Sequence, residues 1–428
     1  MIKFSFRKLA VDIHLWLGLA SGLVLFVVCL SGTVYTFRAE IERLLSPSKF
    51  YVSVPAGSTR LSPDTLIARV QGNLQGTVVS LSMPSDPERS YQFGVRVKED
   101  KKAVRPNAGS AKRENESAKA AASPGAKPGA PKEAGAPRPK NYFVDPYTGK
   151  IVGEDGGSTS KFFTTTMQLH RWLLMDTGVG RVIVGTATLI FLAIIITGLV
   201  IWFPSRLKNW KQGFKVKFRG NWKRVNHDLH NTLGFYSSFL LLVMTLTGLC
   251  WSFEWYKDGA SKVLGAKVFG GRNEKPLQSS ATVGTPVALT TVLQAADQIF
   301  PYQGDYRVNL AADSGAVVTV LKNRTGFFAL SAADRVMFDQ YTGTPLKTER
   351  FADKPLNEQI AGSIKPLHTG EIFGTFSKIL YFLACLIATS LPVTGTIIWL
   401  NKLKKKRKRA GKPSTREVQT YEAEIELR

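Results

Sequence analysis

The sequence predicts an α-helical membrane protein: a four-span antiparallel bundle built from two direct repeats, each with an external α+β module. Three observations predict it. Four uncharged runs have membrane length: Leu15–Phe37, Val182–Phe203, Asn231–Phe253 and Ile379–Leu400. At a rise of about 1.5 Å per residue each can cross a hydrocarbon core of ~30 Å. Histidine and glycine then recur at matched spacing. His14 precedes Gly18 by four residues, as His230 precedes Gly234, and Ser31-Gly32 follows His14 at the separation of Thr247-Gly248 from His230. Finally, Asp-x-Tyr-Thr-Gly occurs at 145–149 and again at 339–343. Such matched spacing is the mark of an internal duplication.

Composition bounds the class. The chain has 428 residues and a formal net charge of +25. Set beside four membrane-length runs, that charge reports topology and contact with anionic lipid rather than nucleic acid. The three cysteines, Cys29, Cys250 and Cys385, all lie in apolar runs and form no disulfide framework. The first run is too long for a signal-peptide core and reads as an uncleaved anchor. Lys3, Arg7 and Lys8 precede it; Ser205–Arg224 holds eight basic residues and no acid; a dense basic tail follows the fourth run. These flanks place both termini in the cytoplasm and the two long loops outside it.

In order, the sequence divides into an N-terminus with span 1 (1–37), a periplasmic module (38–169), span 2 with an interfacial lead-in (170–204) and a basic loop (205–225). Span 3 (226–256), a second periplasmic module (257–367), span 4 with its lead-in (368–400) and a basic tail (401–428) complete it. In the first module a helix begins at Ser62-Pro63-Asp64, and strands are expected near 77–83, 90–98 and 141–144. Residues 99–140 are rich in Ala, Pro, Gly, Lys and Ser and predict a disordered insertion. The second module repeats the plan, with a helix at 289–300 and strands near 306–310, 316–321 and 336–339. Each Asp-x-Tyr-Thr-Gly reads as a hairpin turn, its glycine supplying positive φ. Leu169-His170 leads span 2 and Leu367-His368 leads span 4; Thr197-Gly198 and Thr394-Gly395 close them at equal spacing.

This layout resembles the PepSY-associated transmembrane family. The resemblance is carried by His14 with Gly18 and Ser31-Gly32, by the two Asp-x-Tyr-Thr-Gly turns, and by His170 and His368 ahead of their spans. It covers nearly the whole chain apart from 99–140 and the basic tail. It implies that the external modules are PepSY-like. Members of the family include inner-membrane ferric-siderophore reductases that carry haem b, so the resemblance implies a haem-dependent membrane oxidoreductase acting on a ferric siderophore or another iron(III) chelate.

The histidines point the same way by their placement. All five in the sequence (His14, His170, His227, His230 and His368) stand at a membrane boundary. His14, His227 and His230 mark the cytoplasmic ends of spans 1 and 3; His170 and His368 mark the external ends of spans 2 and 4. Two imidazoles from two helices at one depth can hold an iron axially, and helical bundle cores commonly hold such cofactors. Two haems are therefore expected, one between His14 and His230 and one between His170 and His368. His227 is an alternative to His230, or a donor to a haem propionate; Asp228 either orients an imidazole or belongs to a solvated helix start.

Gly32 and Gly248 lie 18 residues past His14 and His230, so about 27 Å along a helix and level with the outer pair. Gly198 and Gly395 fall level with the inner pair. These glycines are expected to make room for the macrocycle bound by the other helices, or else to serve close helix packing. Arg38, Arg171 and Arg181 are placed to pair with propionates or with lipid phosphates. No dinucleotide fingerprint or P-loop occurs, so electrons must come from a separate donor, a quinol or a cytoplasmic flavoprotein. Two rival readings are a haem-free scaffold that binds a periplasmic peptide or protein, and an iron-chelate permease. The permease lacks ionisable residues in the middle of its spans.

Overall fold

The computed structural model describes residues 5–97, 138–204, 207–270, 277–279 and 284–410. The expected insertion at 99–140 lies almost wholly outside the described residues. Helix α1 (Phe6–Thr36) is followed by the short α2 (Arg38–Leu45) and α3 (Pro47–Phe50), then α4 (Pro63–Leu74) and strands β1 (Gly76–Met83), β2 (Tyr91–Val97), β3 (Lys140–Val144) and β4 (Ile151–Glu154). Helices α5 (Gly157–Trp172) and α6 (Thr177–Trp202) close the first half. The second half runs α7 (Trp222–Ser252), α8 (Glu254–Leu264), α9 (Leu289–Ile299), β5 (Gly304–Asn309), β6 (Val317–Arg324), β7 (Ala333–Asp339), β8 (Pro345–Glu349), α10 (Leu356–Gly362), α11 (Ile364–Thr369) and α12 (Gly374–Ala410).

Among the described residues, four helices are long and apolar enough to cross a membrane: α1, α6, α7 and α12. The molecule is an α-helical membrane protein. The four helices form a square in which α1 and α7 each pack against α6 and α12. Small residues allow the close approach. An added Cβ on Gly22 would stand 3.6 Å from Pro392, and Ala384 and Ala388 pack with Ile195 and Leu241 in the bundle core. In lipid such small residues let helix backbones gain van der Waals contact that larger side chains would forbid.

All eight strands join one antiparallel sheet, in the order β4-β3-β2-β1-β5-β6-β7-β8. The sequence led us to expect two modules; their edges meet at β1 and β5, where Ser80 pairs with Asn309 and Met83 with Tyr306. Pairing the two edges satisfies backbone groups that would otherwise be exposed strand templates. Helices α4 and α9 pack Leu66, Val70, Val292, Leu293 and Ala296 onto Val78, Leu81, Phe93, Val308, Val320 and Phe338, all of them buried. Both Asp-x-Tyr-Thr-Gly segments are tight turns. Asp145 accepts from the Tyr147 amide and Asp339 from the Tyr341 amide, each at 2.8 Å, and Gly149 and Gly343 take φ of +72° and +69°.

Two corners set the site. After α5, Leu173 and Leu174 adopt positive φ, and Asp176 caps α6 by accepting from the Gly178 amide at 2.8 Å. Gly180 permits this turn, because a Cβ there would fall 2.1 Å from the Trp172 carbonyl oxygen. After α11, Gly370 reverses the chain at φ +78°, and Ser377 donates to its carbonyl at 2.6 Å. A bidentate ion pair between Lys378 and Glu40, 3.0 Å to each oxygen, fastens α12 to α2 at the same end.

Asp64 joins the two halves of the sheet domain. Its carboxylate accepts from the Leu289 amide at 2.7 Å, the Thr290 amide at 3.0 Å and the Thr290 hydroxyl at 2.6 Å, capping α9 from α4. Partial burial alone would raise its pKa; the three donated bonds outweigh it and hold the carboxyl below the usual range. Its contribution is therefore present above the unfolded-state pKa near 4 and is lost as pH falls through the lower folded value. We expect Asp64→Ala to cost about 1 kcal/mol, as loss of a helix cap does. A thermal melt would show a lower Tm at pH 7 and a smaller drop on acidification than the parent shows.

Candidate functional site

The site is four imidazoles in two pairs at opposite ends of the bundle. His14 on α1 and His230 on α7 face each other with ring centroids 6.4 Å apart. They lie at the end remote from the sheet. His170 on α5 and His368 on α11 face each other at 6.2 Å, at the end beside the sheet. The structure thus brings together both expected pairs. It separates His227, whose side chain is 58 % exposed and whose Nδ1 lies 3.6 Å from Asp228. Asp228 itself pairs with Arg224 at 2.9 Å and accepts from the Lys217 amide, so it orients neither paired ring.

Each ring is held by the same device. The Nδ1 of His14 lies 3.1 Å from the Ile194 carbonyl and 3.1 Å from the Thr197 hydroxyl on α6. That of His170 lies 2.8 Å from the Val28 carbonyl on α1. That of His368 lies 2.9 Å from the Met244 carbonyl and 3.2 Å from the Thr247 hydroxyl on α7. That of His230 lies 2.8 Å from the Thr394 hydroxyl on α12, which itself donates to the Leu391 carbonyl at 3.1 Å. In every case the carbonyl belongs to the residue four before a glycine, and that glycine follows a Ser or Thr: Ser31-Gly32, Thr197-Gly198, Thr247-Gly248 and Thr394-Gly395.

The glycines explain why these carbonyls are reachable. A Cβ on Gly32 would meet His170 Cε1 at 3.1 Å, one on Gly198 His14 Cε1 at 3.2 Å, one on Gly248 His368 Cε1 at 2.9 Å, and one on Gly395 His230 Cε1 at 3.2 Å. The glycines therefore seat the imidazoles. An imidazole ring stands beside each of them, at the depth along the helix that the spacing predicted.

This construction suits metal ligation. Among the described residues, all ring hydrogen bonds are made through Nδ1. A carbonyl can only accept, and the Thr394 hydroxyl already donates within its own helix, so Nδ1 carries the proton and Nε2 keeps its lone pair. A ligating histidine characteristically donates its other ring N–H in this way. Two trans bonds of about 2 Å, each with roughly 1 Å more to the ring centre, put two centroids about 6 Å apart around one metal ion. Burial pushes His170 and His368 below the ordinary imidazole range, the latter to about 4; the charge of Arg171 lowers His170 further, and His170 lowers His368. Both are then neutral at physiological pH, the ligating form. The residues present fit a bis-imidazole-ligated group at each end.

The arginines fall around the sheet-side pair. Arg38 is engaged by Glu42 at 2.9 Å and by the Tyr35 hydroxyl at 2.8 Å. Arg171 lies over the Trp172 ring, and burial with the charge of Arg181 pushes its guanidinium down. The Nε of Arg181 is buried with no hydrogen-bond partner. Tyr35, Arg38, Gln168 and Arg171 line a cavity of about 110 Å³. An orphaned buried donor beside a second, mutually repelling guanidinium is a place where an anion lowers the energy.

Comparison with protein families places residues 11–402 within the model of the PepSY-associated TM region. The chain belongs to this family. Comparison with curated proteins gave no match. In this PepSY-associated protein, sequence reasoning found all four paired histidines but missed the hydroxyls of Thr197, Thr247 and Thr394 as ring partners. The fourfold Ser/Thr-Gly dipeptide was the available signal.

Replacing one glycine by leucine would push one imidazole off its carbonyl. We expect Gly198→Leu to weaken binding of added ferric haem about tenfold to a hundredfold at the remote pair alone, the range for loss of a ligand's supporting partner. Gly248→Leu would do so at the sheet-side pair alone. Titration followed by the absorbance of the bound porphyrin checks both.

Proposed function

We propose that this protein carries electrons across the bacterial inner membrane through two b-type haems and reduces a ferric siderophore or another iron(III) chelate in the periplasm. The observation that carries this reading is the two-layer arrangement of Nδ1-anchored imidazole pairs at opposite ends of one four-helix square. Bound haem would supply reversible one-electron chemistry. Held by two histidines, such a group would serve electron transfer rather than oxygen chemistry.

The chain's own residues divide the work. His14 with His230, and His170 with His368, would hold the two irons. The carbonyls of Ile194, Val28 and Met244 and the hydroxyl of Thr394 fix the tautomer and hold each ring in one orientation, so that little rearranges when charge arrives. Arg171 and Arg181 would receive haem propionates at the sheet side. Both termini and the loop 205–225 are assigned to the cytoplasm because of their basic flanks, and the sheet, with its two PepSY-like halves derived from a direct repeat, to the periplasm. An electron moving outward then travels down the membrane potential, gaining about 2.3 kcal/mol per 100 mV.

Vesicles test the reading. Haem-loaded protein is reconstituted around trapped dithionite, with an impermeant ferric chelate and an iron(II) indicator outside. We expect iron(II) to form outside with the parent protein, and His14→Ala and His368→Ala each to return the rate to that of protein-free vesicles. Equal rates in parent and variants would sink the transmembrane route.

A further inference from the structure

The end of the bundle remote from the sheet holds a cavity of about 260 Å³ that the four ligating histidines do not use. Its walls come from α1, the end of α6, the loop after it and the start of α7. Arg7, Trp202, Trp210, His227, Asp228 and Asn231 are among its lining residues. We propose that this cavity binds the headgroup of a lipid-soluble quinol, and that this is where the electron donor docks. The proposal rests on the electron-transfer reading above.

Shape and chemistry favour a flat, neutral, oxygen-bearing ring. Trp202 stacks on Phe235 at 3.7 Å with the planes 13° apart, which makes one wall rigid and aromatic. Trp210, also at the wall, is 49 % exposed and has an open face. Facing these are polar groups that suit hydroxyl or carbonyl oxygens. His227 and Asn231 lie four residues apart on α7, so about 6 Å between Cβ atoms on one helix face. That separation lets them address different oxygens of one ring. His227 is not needed as a ligand, since His230 faces His14.

Charge argues against an anionic occupant. Both lining guanidiniums are engaged: Arg7 donates to the Phe203 and Ile201 carbonyls at 2.7 and 2.8 Å, and Arg224 is paired with Asp228. The Asp228 carboxylate itself lines the wall, where it would repel a haem carboxylate or a phosphate. The route of entry is apolar. Phe6, Trp16, Phe218 and Trp222 stand exposed at this end, as aromatic residues do at a membrane interface. A donor dissolved in the bilayer would reach the cavity from there. Oxidation of one quinol to quinone releases two electrons and two protons. The electrons pass singly to two iron(III) chelates, each becoming iron(II), and the protons enter the water at this end of the bundle.

Photolabelling tests the site without relying on turnover. Full-length protein in lipid nanodiscs is labelled with an azido-ubiquinone, with decyl-ubiquinol as competitor. We expect saturable, competable label in peptides covering 202–231. His227→Asn should weaken binding about tenfold, the worth of one hydrogen bond to the ligand, and Trp210→Leu should weaken it similarly, while Trp255→Leu at the far end leaves it unchanged. Unsaturable label spread along the lipid-facing helices, or unchanged affinity in His227→Asn, would overturn the proposal. So would label confined to haem-stripped protein, which would mean that haem carboxylates fill the cavity. If haem fails to bind while competable label remains, the electron-transfer reading falls and the quinol site stands.

Discussion

The structure turns on one arrangement made four times: an imidazole N–H donated to a helix carbonyl, or for His230 to the Thr394 hydroxyl, where a glycine opens the helix. Helical carbonyls are already committed to the helix ladder, and a side chain one turn on normally covers them. Glycine removes that cover, and the carbonyl's second lone pair can accept from outside. The bond has two consequences at once. It keeps the proton on Nδ1 and so leaves Nε2 free, and it ties each imidazole-bearing helix to a neighbour. Ring orientation and bundle packing are the same interaction, which is why the four spans close as a square around paired rings.

The sheet acts on the site through its connections. Helices α5 and α11 are not spans; they lie between the sheet and the spans, and they carry His170 and His368. Their positions depend on the corners at Leu173–Gly180 and Gly370–Ser377, and on the Lys378–Glu40 ion pair. Since β1 and β5 join the two halves into one sheet, the carriers of the two sheet-side rings are parts of one folded unit. The remote pair has no such cap. It sits directly on α1 and α7, beside a cavity open toward the interface.

Much of this was legible in the sequence, and the missing parts have physical reasons. The spans followed from charge-free length, and the pairing of His14 with His230 followed from repeat spacing. Depth came from the helix rise alone, which put Gly32 and Gly248 level with the sheet-side histidines. Azimuth did not, because it depends on how helices cross, so the glycines' true partners were invisible. The choice between His227 and His230 had the same obstacle: three residues apart on one helix, they differ mainly in direction. The β1–β5 junction was hidden because an edge strand carries no mark of its partner. Helix α8 was overlooked since its charges break the apolar pattern, and α5 begins at Gly157 without a capping side chain.

The central claim is that two bis-imidazole centres occupy the two ends of the bundle. Haem stoichiometry of purified protein tests it most directly, by pyridine haemochrome and dithionite-reduced spectra of the parent, His14→Ala and His368→Ala. The account predicts two haems per chain in the parent and one in each variant, with the loss at different ends. Well-folded parent protein without haem, expressed with ample haem supply, would contradict it, as would a single haem lost only with His14→Ala.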